Sequence, residues 1–435
     1  MNVYDAAINR LKIIFEDFDN VLVAFSCGKD SGVMLNLAYQ YAKENNLLYK
    51  LSFYYEDYEA GYRYTDEYAE RTFKDLHDVN KRFWLCLPIS AACSVSMYEP
   101  RWIPWDKDKK DIWVRKMPDF DYVVNEDNCP FPFIKGTRGF DTRIHFAEWF
   151  SKTYGKTAVL IGIRAQESLT RRGIFTSQHR KFMHKDLTYS KVIDSNTINF
   201  YPIYDWQTED IWVCNAKYGF DYNKIYDLYH QAGLTIDQMR VASPFHLSGQ
   251  ENLKLYRVID PNNWGRMVGR VNGCNFGGIY GGTSAMGWRK ITKPSHFTWK
   301  EYAEFLLSTL PEATKKKFMY HLDRLRNSWK EKGYGRNPRV IKQMIDEGIE
   351  IENTKEISKL CTKPDVYEII KIKGDIPDET KIQRNFRIVP SWKAVCMTIL
   401  KNDWGLTYMS VSRPTEKRKL KDAGLDKYTK LKSIK

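Results

Sequence analysis

Short apolar runs alternate with stretches of helical periodicity between residues 20 and 245. The runs at 21–25 (Val-Leu-Val-Ala-Phe), 51–55 (Leu-Ser-Phe-Tyr-Tyr), 83–87 (Phe-Trp-Leu-Cys-Leu) and 158–163 (Ala-Val-Leu-Ile-Gly-Ile) read as buried strands. After the first run, Met34, Leu37, Ala38 and Tyr41 recur on one helical face. This alternation predicts an α/β fold, a parallel sheet with helices on both faces, in which ligands sit at the carboxyl ends of strands. Residues 98–135 break the rhythm with five prolines and three tryptophans and predict an irregular, substrate-facing insertion. Beyond them, Tyr302, Phe305, Leu306 and Leu310, then Phe318, Leu322, Leu325 and Trp329, keep helical spacing on either side of Pro311. They predict two core-forming helices in a mainly helical accessory region. Gly265 to Gly287 holds eight of the 25 glycines and reads equally as a loop closing on a ligand or as a connector packed on the first domain.

With 435 residues, two or three structural units are expected. The net charge of +14 favours anionic partners such as nucleotides, RNA or DNA. No apolar run approaches the roughly 20 residues of a membrane helix, and Met1 to Asn9 lack a signal-peptide layout, so a cytoplasmic protein is expected. The eight cysteines form no C-x-x-C pair, which speaks for reduced thiols and against an iron–sulfur cluster or zinc. His179 and His184, five apart in a basic stretch, read as solvated side chains. So does the basic tail, Arg413 to Lys435, although a basic tail also suits nucleic acid.

The chemistry concentrates after the first strand. Ser26-Cys27-Gly28-Lys29-Asp30-Ser31 lies between a strand and a helix, where main-chain N–H groups and the helix dipole favour a phosphate or pyrophosphate. Gly28 and Gly32 let the main chain approach the anion, Lys29 adds charge, and Ser26 and Ser31 offer hydroxyl donors. Lys29 is followed by Asp30, so this is not a Walker A loop. At the end of the strand 158–163, Gly162 permits close approach of a base or ribose, and Arg164 and Arg171 suit phosphate or sulfate oxygens. Glu167 and Arg171 also stand four apart, the spacing of a helix ion pair. Arg172, His179, Arg180, Lys181 and Lys185 make the surroundings basic. After the second strand, Asp57 is placed for a ribose hydroxyl or Mg2+.

The first string resembles the pyrophosphate loop, S-x-G-K-D-S, of the ATP pyrophosphatase and phosphoadenylylsulfate (PAPS) reductase superfamily, with Cys27 where a further glycine is usual. Gly162-Ile163-Arg164-Ala165-Gln166-Glu167-Ser168-Leu169-Thr170-Arg171 resembles that superfamily's second signature, G-x-R-x-x-x-S-x-x-R. Tyr201 to Trp212 is similar to its third landmark, with Trp206 and Trp212 as packing residues and Thr208 as a helix cap. The order of Asp57-Tyr58-Glu59-Ala60, Trp102-Ile103-Pro104-Trp105-Asp106, Arg240 to Phe245, Arg270-Val271-Asn272-Gly273 and Pro390-Ser391-Trp392 resembles one branch. These are the immunoglobulin-binding regulator A-like coactivators, which carry a domain of unknown function. The resemblance implies an adenine nucleotide alpha hydrolase-like (PP-loop) fold, a ParB-like partner protein, and gene control in phages or mobile elements.

These features divide the chain into a PP-loop domain over 1–245, a glycine-rich connector and helical accessory domain over 246–345, and a small region over 346–435 with the basic tail. The expected ligand is ATP or a PAPS-like nucleotide. Its contacts are expected from Ser26, Cys27, Gly28, Lys29, Asp30, Ser31, Asp57, Gly162, Arg164, Glu167 and Ser168. Mg2+ is the expected counter-ion, with Asp30 as its ligand. Cleavage between the α and β phosphates, yielding AMP and pyrophosphate, is assigned to Lys29, Asp30, Arg164 and Arg171. PAPS reduction is disfavoured because Cys361 and Cys396 lack the E-C-G-[IL]-H setting of the reductases. The rival readings are a nucleotide-responsive coactivator without turnover, reaching DNA directly or through its partner, and sulfur transfer.

Overall fold

The computed structural model describes residues 2–99, 101–167, 169–172, 175, 183–236, 238–246, 249–281, 283, 291–358, 367–382, 388–403, 405–406 and 409. Ser168, His179, Arg180, Lys181, Cys361 and the tail from 413 onward lie outside them.

Strands β1 (Asn20–Phe25), β2 (Leu51–Glu56) and β3 (Lys81–Leu85) are followed by a two-residue antiparallel pair, β4 (Ala91–Ala92) and β5 (Arg101–Trp102). Then come β6 (Val123–Val124), β7 (Thr157–Ile161), β8 (Ser190–Val192) and β9 (Thr197–Phe200). Seven of these form one sheet in the order β6-β3-β2-β1-β7-β9-β8, parallel except for the β8 edge. The four expected strands are present within two residues of their predicted ends. The near-continuous apolar runs follow from burial on both faces: Val21, Leu22 and Val23 are inaccessible to solvent. Helices Val3–Asp17, Lys29–Glu44 and Arg63–Asp75 cover one face and Gly139–Tyr154 the other, giving two separate apolar cores.

The strand order fixes where ligands can bind. From β1 the chain proceeds outward through β2, β3 and β6, then returns to place β7 on the opposite side of β1. The connections diverge between β1 and β7, and in sheets of this kind the ligand crevice lies at the carboxyl ends of that pair. The loop after β1 and the loop after β7 line that crevice.

The insertion is largely irregular, as expected, but contributes β5 and the short parallel β6. As far as Gly281 the glycine-rich segment is helical, over Pro261–Arg270 and Cys274–Tyr280, and packs as a connector; Gly282 and Gly287 lie outside the described residues. Gly273, at φ +84°, lies where a Cβ would come within 2.2 Å of Val95 O, and Gly277 and Gly278 press on Val95 and Trp264. Helices Trp299–Ser308 and Glu312–Glu331 flank Pro311, and Phe318, Leu322, Leu325 and Trp329 are buried. In the first of these helices Trp299, Ala303 and Leu307 are buried, and Tyr302, Leu306 and, just past its end, Leu310 pack against the same core as expected, while Phe305 is half exposed. A three-stranded antiparallel sheet of β10 (Tyr334–Arg336), β11 (Ile351–Ile357) and β12 (Glu368–Ile372) joins these helices.

One buried ion pair ties the insertion and the connector to the sheet. Glu59 and Arg270 are both almost inaccessible, with Arg270 Nε 2.8 Å from Glu59 Oε1 and its NH2 3.0 Å from Oε2. Glu59 also accepts from Trp105 N at 2.7 Å and Val114 N at 3.0 Å, and Arg270 donates to Ile103 O at 2.7 Å. Three of the sequence's scattered branch motifs therefore meet at one carboxylate. Removing one partner of such a pair leaves an uncompensated buried charge, at about 3–5 kcal/mol. Glu59→Ala is expected to lower unfolding free energy by that amount, and Glu59→Ala with Arg270→Met to recover part of it. Urea denaturation of both variants checks this, and a neutral single variant contradicts it.

Candidate functional site

Cys27 has φ +57°, the left-handed region that costs an L-residue roughly 1–2 kcal/mol, which is why glycine is natural there. Its side chain is inaccessible and packs in the main core. Asn223 Nδ2 holds the Cys27 carbonyl at 3.1 Å and Thr65 Oγ1 at 2.9 Å. Gly28 caps helix Lys29–Glu44, whose N-terminal amides face the crevice. The two serine hydroxyls serve the loop itself: Ser31 Oγ accepts from Ser26 N at 3.1 Å, donates to Gly28 O at 3.1 Å and lies 2.9 Å from Ser26 Oγ.

Gly162 brings β7 against this loop. A Cβ there would stand 3.0 Å from Asp30 C, Asp30 O and Ser31 N, so any larger residue would push on the loop backbone. Two residues on, Arg164 is 2 % exposed and donates from Nε to Asp30 Oδ1 at 2.5 Å. Asp30 Oδ2 takes Lys29 Nζ at 3.1 Å. Arg164 NH1 reaches Gln166 Oε1 at 3.0 Å and Trp206 O at 3.4 Å, and Gln166 Oε1 accepts from Thr208 N at 2.9 Å. All three landmarks are thus joined through Arg164 and Gln166. Thr208 is the first residue of helix Thr208–Tyr218 and does not cap it. Gln207 does, with its N–H bonded to Asp210 Oδ2 at 2.7 Å.

Arg171 pairs with Glu167 four residues away, the helix ion pair that the spacing allowed. Burial lowers the pKa of Arg171; Asp30 raises it, and Arg240 and Arg164 lower it further. Burial also lowers the pKa of Lys29; Asp30 opposes this and Arg164 and Arg240 add to it. Four cations, Lys29, Arg164, Arg171 and Arg240, therefore share one neighbourhood with two carboxylates, Asp30 and Glu167. In the sequence Arg240 belongs only to a branch motif; nothing local marks it as a neighbour of Lys29.

Asp30 does not fit a protein-held Mg2+. Both of its oxygens are engaged by cations, and no group of three or more His, Cys, Asp or Glu suited to a metal exists among the described residues. Asp57 is not open to a ribose either. It is 1 % exposed, with Oδ1 accepting from Glu59 N at 2.8 Å and Oδ2 from Trp84 Nε1 at 2.7 Å and from Arg115. Six cysteines, 27, 86, 93, 214, 274 and 396, are buried, and burial pushes every one of their thiols up: Cys93 to about 11, Cys214, Cys274 and Cys396 to about 12. None of these six is an activated thiolate. Beside the Asp57 cluster a cleft of about 1260 Å3 is lined by Cys86, Trp105, Trp113, Arg115 and Lys116 of the first half and by Arg266.

Comparison with known proteins finds two family matches. Residues 141–235 match the phosphoadenosine phosphosulfate reductase domain, and residues 233–420 match a domain of unknown function, DUF3440. The uncharacterized protein YbdN of Escherichia coli (strain K12) is 32 % identical over 423 residues, covering 96 % of this chain and 92 % of that protein. The chain belongs to the family of YbdN. Among solved structures, the FMN adenylyltransferase of Candida glabrata (14 % identity, TM-score 0.29) matches over 51 % of this chain and 58 % of its own. The PAPS reductase of Candida auris in its phosphate complex (14 %, 0.28) covers 51 % and 84 %. The NH3-dependent NAD synthetase of Campylobacter jejuni subsp. jejuni (14 %, 0.26) covers 64 % and 97 %. Among the described residues no helix is long and apolar enough to cross a membrane.

The Asp57 cluster makes a pH prediction. Arg115 lies 2.9 Å from Asp66 Oδ2 while also bonding Asp57, so one guanidinium faces two buried carboxylates. Burial pushes Asp66 up to about 8; Arg115 opposes the rise, and Asp57 and Asp260 add to it. Folded Asp66 then keeps its proton above the unfolded value of about 4. Over that window the native state binds more protons, and stability falls as pH rises from about 4 to 8. Asp66→Asn is expected to flatten that fall in urea midpoints taken from pH 5 to 8. A variant with the wild-type slope contradicts the assignment.

Proposed function

We propose that this protein binds ATP, or a related adenylyl nucleotide, with its pyrophosphate on the loop Ser26–Ser31, and cleaves it between the α and β phosphates to AMP and pyrophosphate. The observation that carries this reading is the joint of Asp30 with Arg164 and Lys29 at the switch point between β1 and β7. It holds a lysine and a buried arginine beside the N-terminus of a 16-residue helix. An anion arriving there meets fixed donors and a local excess of positive charge, with no reorganisation needed. Asp30 orients those cations rather than acting on the nucleotide. Lys29 and Arg164 stabilise charge on the departing pyrophosphate, and Arg171 and Arg240 widen the positive field.

No covalent nucleophile is required, because positioning and charge stabilisation are the catalytic task. The high thiol pKa values support this reading over sulfur transfer. Mg2+ carried in on the nucleotide's own phosphates is compatible with it. The cleft beside Asp57, with its tryptophans and basic rim, is the candidate place for an acceptor of the adenylyl group. The order of the branch motifs supports a finer placement among the immunoglobulin-binding regulator A-like proteins, with a ParB-like partner through which DNA is reached.

Lys29→Ala removes a charge-assisted contact worth about 1.5–3 kcal/mol, so ATP affinity is expected to fall roughly 10- to 150-fold. Its melting temperature should hold, because among the described residues the ammonium contacts Asp30 and the Tyr226 ring and no apolar core. Calorimetry with ATP and PAPS checks this, and unchanged affinity contradicts the loop assignment. Chromatography of ATP incubations is expected to show AMP and pyrophosphate. ADP as the main product contradicts the reaction, and binding without product favours the coactivator.

A further inference from the structure

Three side-chain oxygens converge on the open side of Gly28. A Cβ built there would stand 3.4 Å from Ser26 Oγ, 3.7 Å from Tyr226 OH and 4.0 Å from Ser31 Oγ. The absence of a side chain leaves a small cradle at the mouth of the loop, beside the first amide of the helix. The three hydroxyls are not equivalent. Ser31 donates to Gly28 O, and Ser26 Oγ lies 2.9 Å from Ser31 Oγ, so a donation from Ser26 to Ser31 completes the pair. Tyr226 OH accepts from Lys29 N–H at 2.9 Å, and its own proton has no acceptor among the described residues.

That hydroxyl is held in place. Tyr226 is 3 % exposed, its ring edge-to-face with Trp212 at 5.3 Å and Tyr229 at 6.2 Å between centroids. Asn223, which bonds the Cys27 carbonyl, also accepts from Ile225 N at 3.1 Å, so the helix Ile225–Gln231 that carries Tyr226 is pinned to the loop. Burial keeps the phenol protonated well beyond its ordinary range, with Asp30 adding to the effect and the Lys29 amide opposing it. The hydroxyl can turn only about its C–O bond, and a buried O–H without an acceptor is an unfavourable state that an incoming oxygen relieves.

We propose that Tyr226 is a phosphate-binding residue of this site, donating its hydroxyl proton to a non-bridging oxygen of a phosphoryl group seated over Gly28. This rests on the nucleotide reading above and adds to it a donor outside all three sequence signatures. Tyr226 extends the reach of the Lys29 amide: the N–H polarises the phenol oxygen, and the phenol proton meets the anion. The ligand class is the pyrophosphate moiety of a nucleotide, or pyrophosphate itself.

The test uses the full chain with ATP, inorganic pyrophosphate and adenosine, titrated by calorimetry. Tyr226→Phe is expected to weaken ATP and pyrophosphate by about tenfold or more, equivalent to about 1.4 kcal/mol, and to leave adenosine unchanged. Tyr256→Phe, a buried tyrosine stacked on Tyr62 at 3.6 Å, controls for the loss of a phenol elsewhere and should bind all three as wild type does. Tyr226→Phe binding ATP and pyrophosphate as tightly as wild type overturns the proposal while leaving the nucleotide reading intact. A wild-type chain that binds neither overturns both. Should the variant not fold, a crystal of the wild-type chain with pyrophosphate decides. An oxygen within about 3.2 Å of Tyr226 OH supports the donor, and an anion seated elsewhere refutes it.

Discussion

The contact between Asp30 and Arg164 is the constraint on which the site depends. Asp30 belongs to the turn after β1 and Arg164 to the turn after β7, so one 2.5 Å ion pair closes the crevice that the strand order opens. Gly162 makes the pair possible by letting one main chain approach the other to van der Waals contact. Without Asp30, Lys29 and Arg164 would be two buried cations facing each other, each costly to desolvate. With it they stay charged and in place, and the surplus positive charge nearby is left for a ligand to neutralise.

A second carboxylate, Glu59, does for the architecture what Asp30 does for the site. It gathers Arg270, Trp105 N and Val114 N and so binds the segment after β2, the insertion and the connector into one unit. Further along, Asn402 Nδ2 donates to Cys93 O at 3.3 Å, and Thr314 Oγ1 to Met97 O at 2.7 Å, so the C-terminal region also rests on the segment after β4. The domain of unknown function is therefore not an appendage. It braces the insertion that walls the large cleft and supplies Arg240 to the neighbourhood of Lys29.

Much of this was legible in the chain because it is local. Two-sided burial writes a strand as a continuous apolar run, and a strand, a glycine-lysine turn and a helix in succession locate the loop after β1. What was missed depends on long-range packing. Tyr226 and Asn223 touch the loop from positions whose sequence neighbours carry no sign of it, and Gln166 joins the landmarks from an unspecified position of the second one. Asp57 looked available because an acid after a strand usually is; only the fold reveals Arg115 and Trp84 closing over it. The glycines from 265 to 281 suit a closing loop and a packed connector equally in sequence; only the fold shows Val95 and Trp264 pressed against Gly273, Gly277 and Gly278. The sequence offers Ser26 and Ser31 as hydroxyl donors and gives no sign that these hydroxyls also bond one another and the loop backbone.

If the loop after β1 is the seat of a pyrophosphate, the terminal phosphates of ATP must contribute measurably to its binding free energy. Competition calorimetry of ATP, pyrophosphate and AMP on the wild-type chain measures this directly. Pyrophosphate is expected to displace ATP, and AMP to bind at least about tenfold more weakly than ATP, a difference of about 1.4 kcal/mol. AMP binding as tightly as ATP, with pyrophosphate failing to compete, would place the nucleotide somewhere other than the loop and contradict the account.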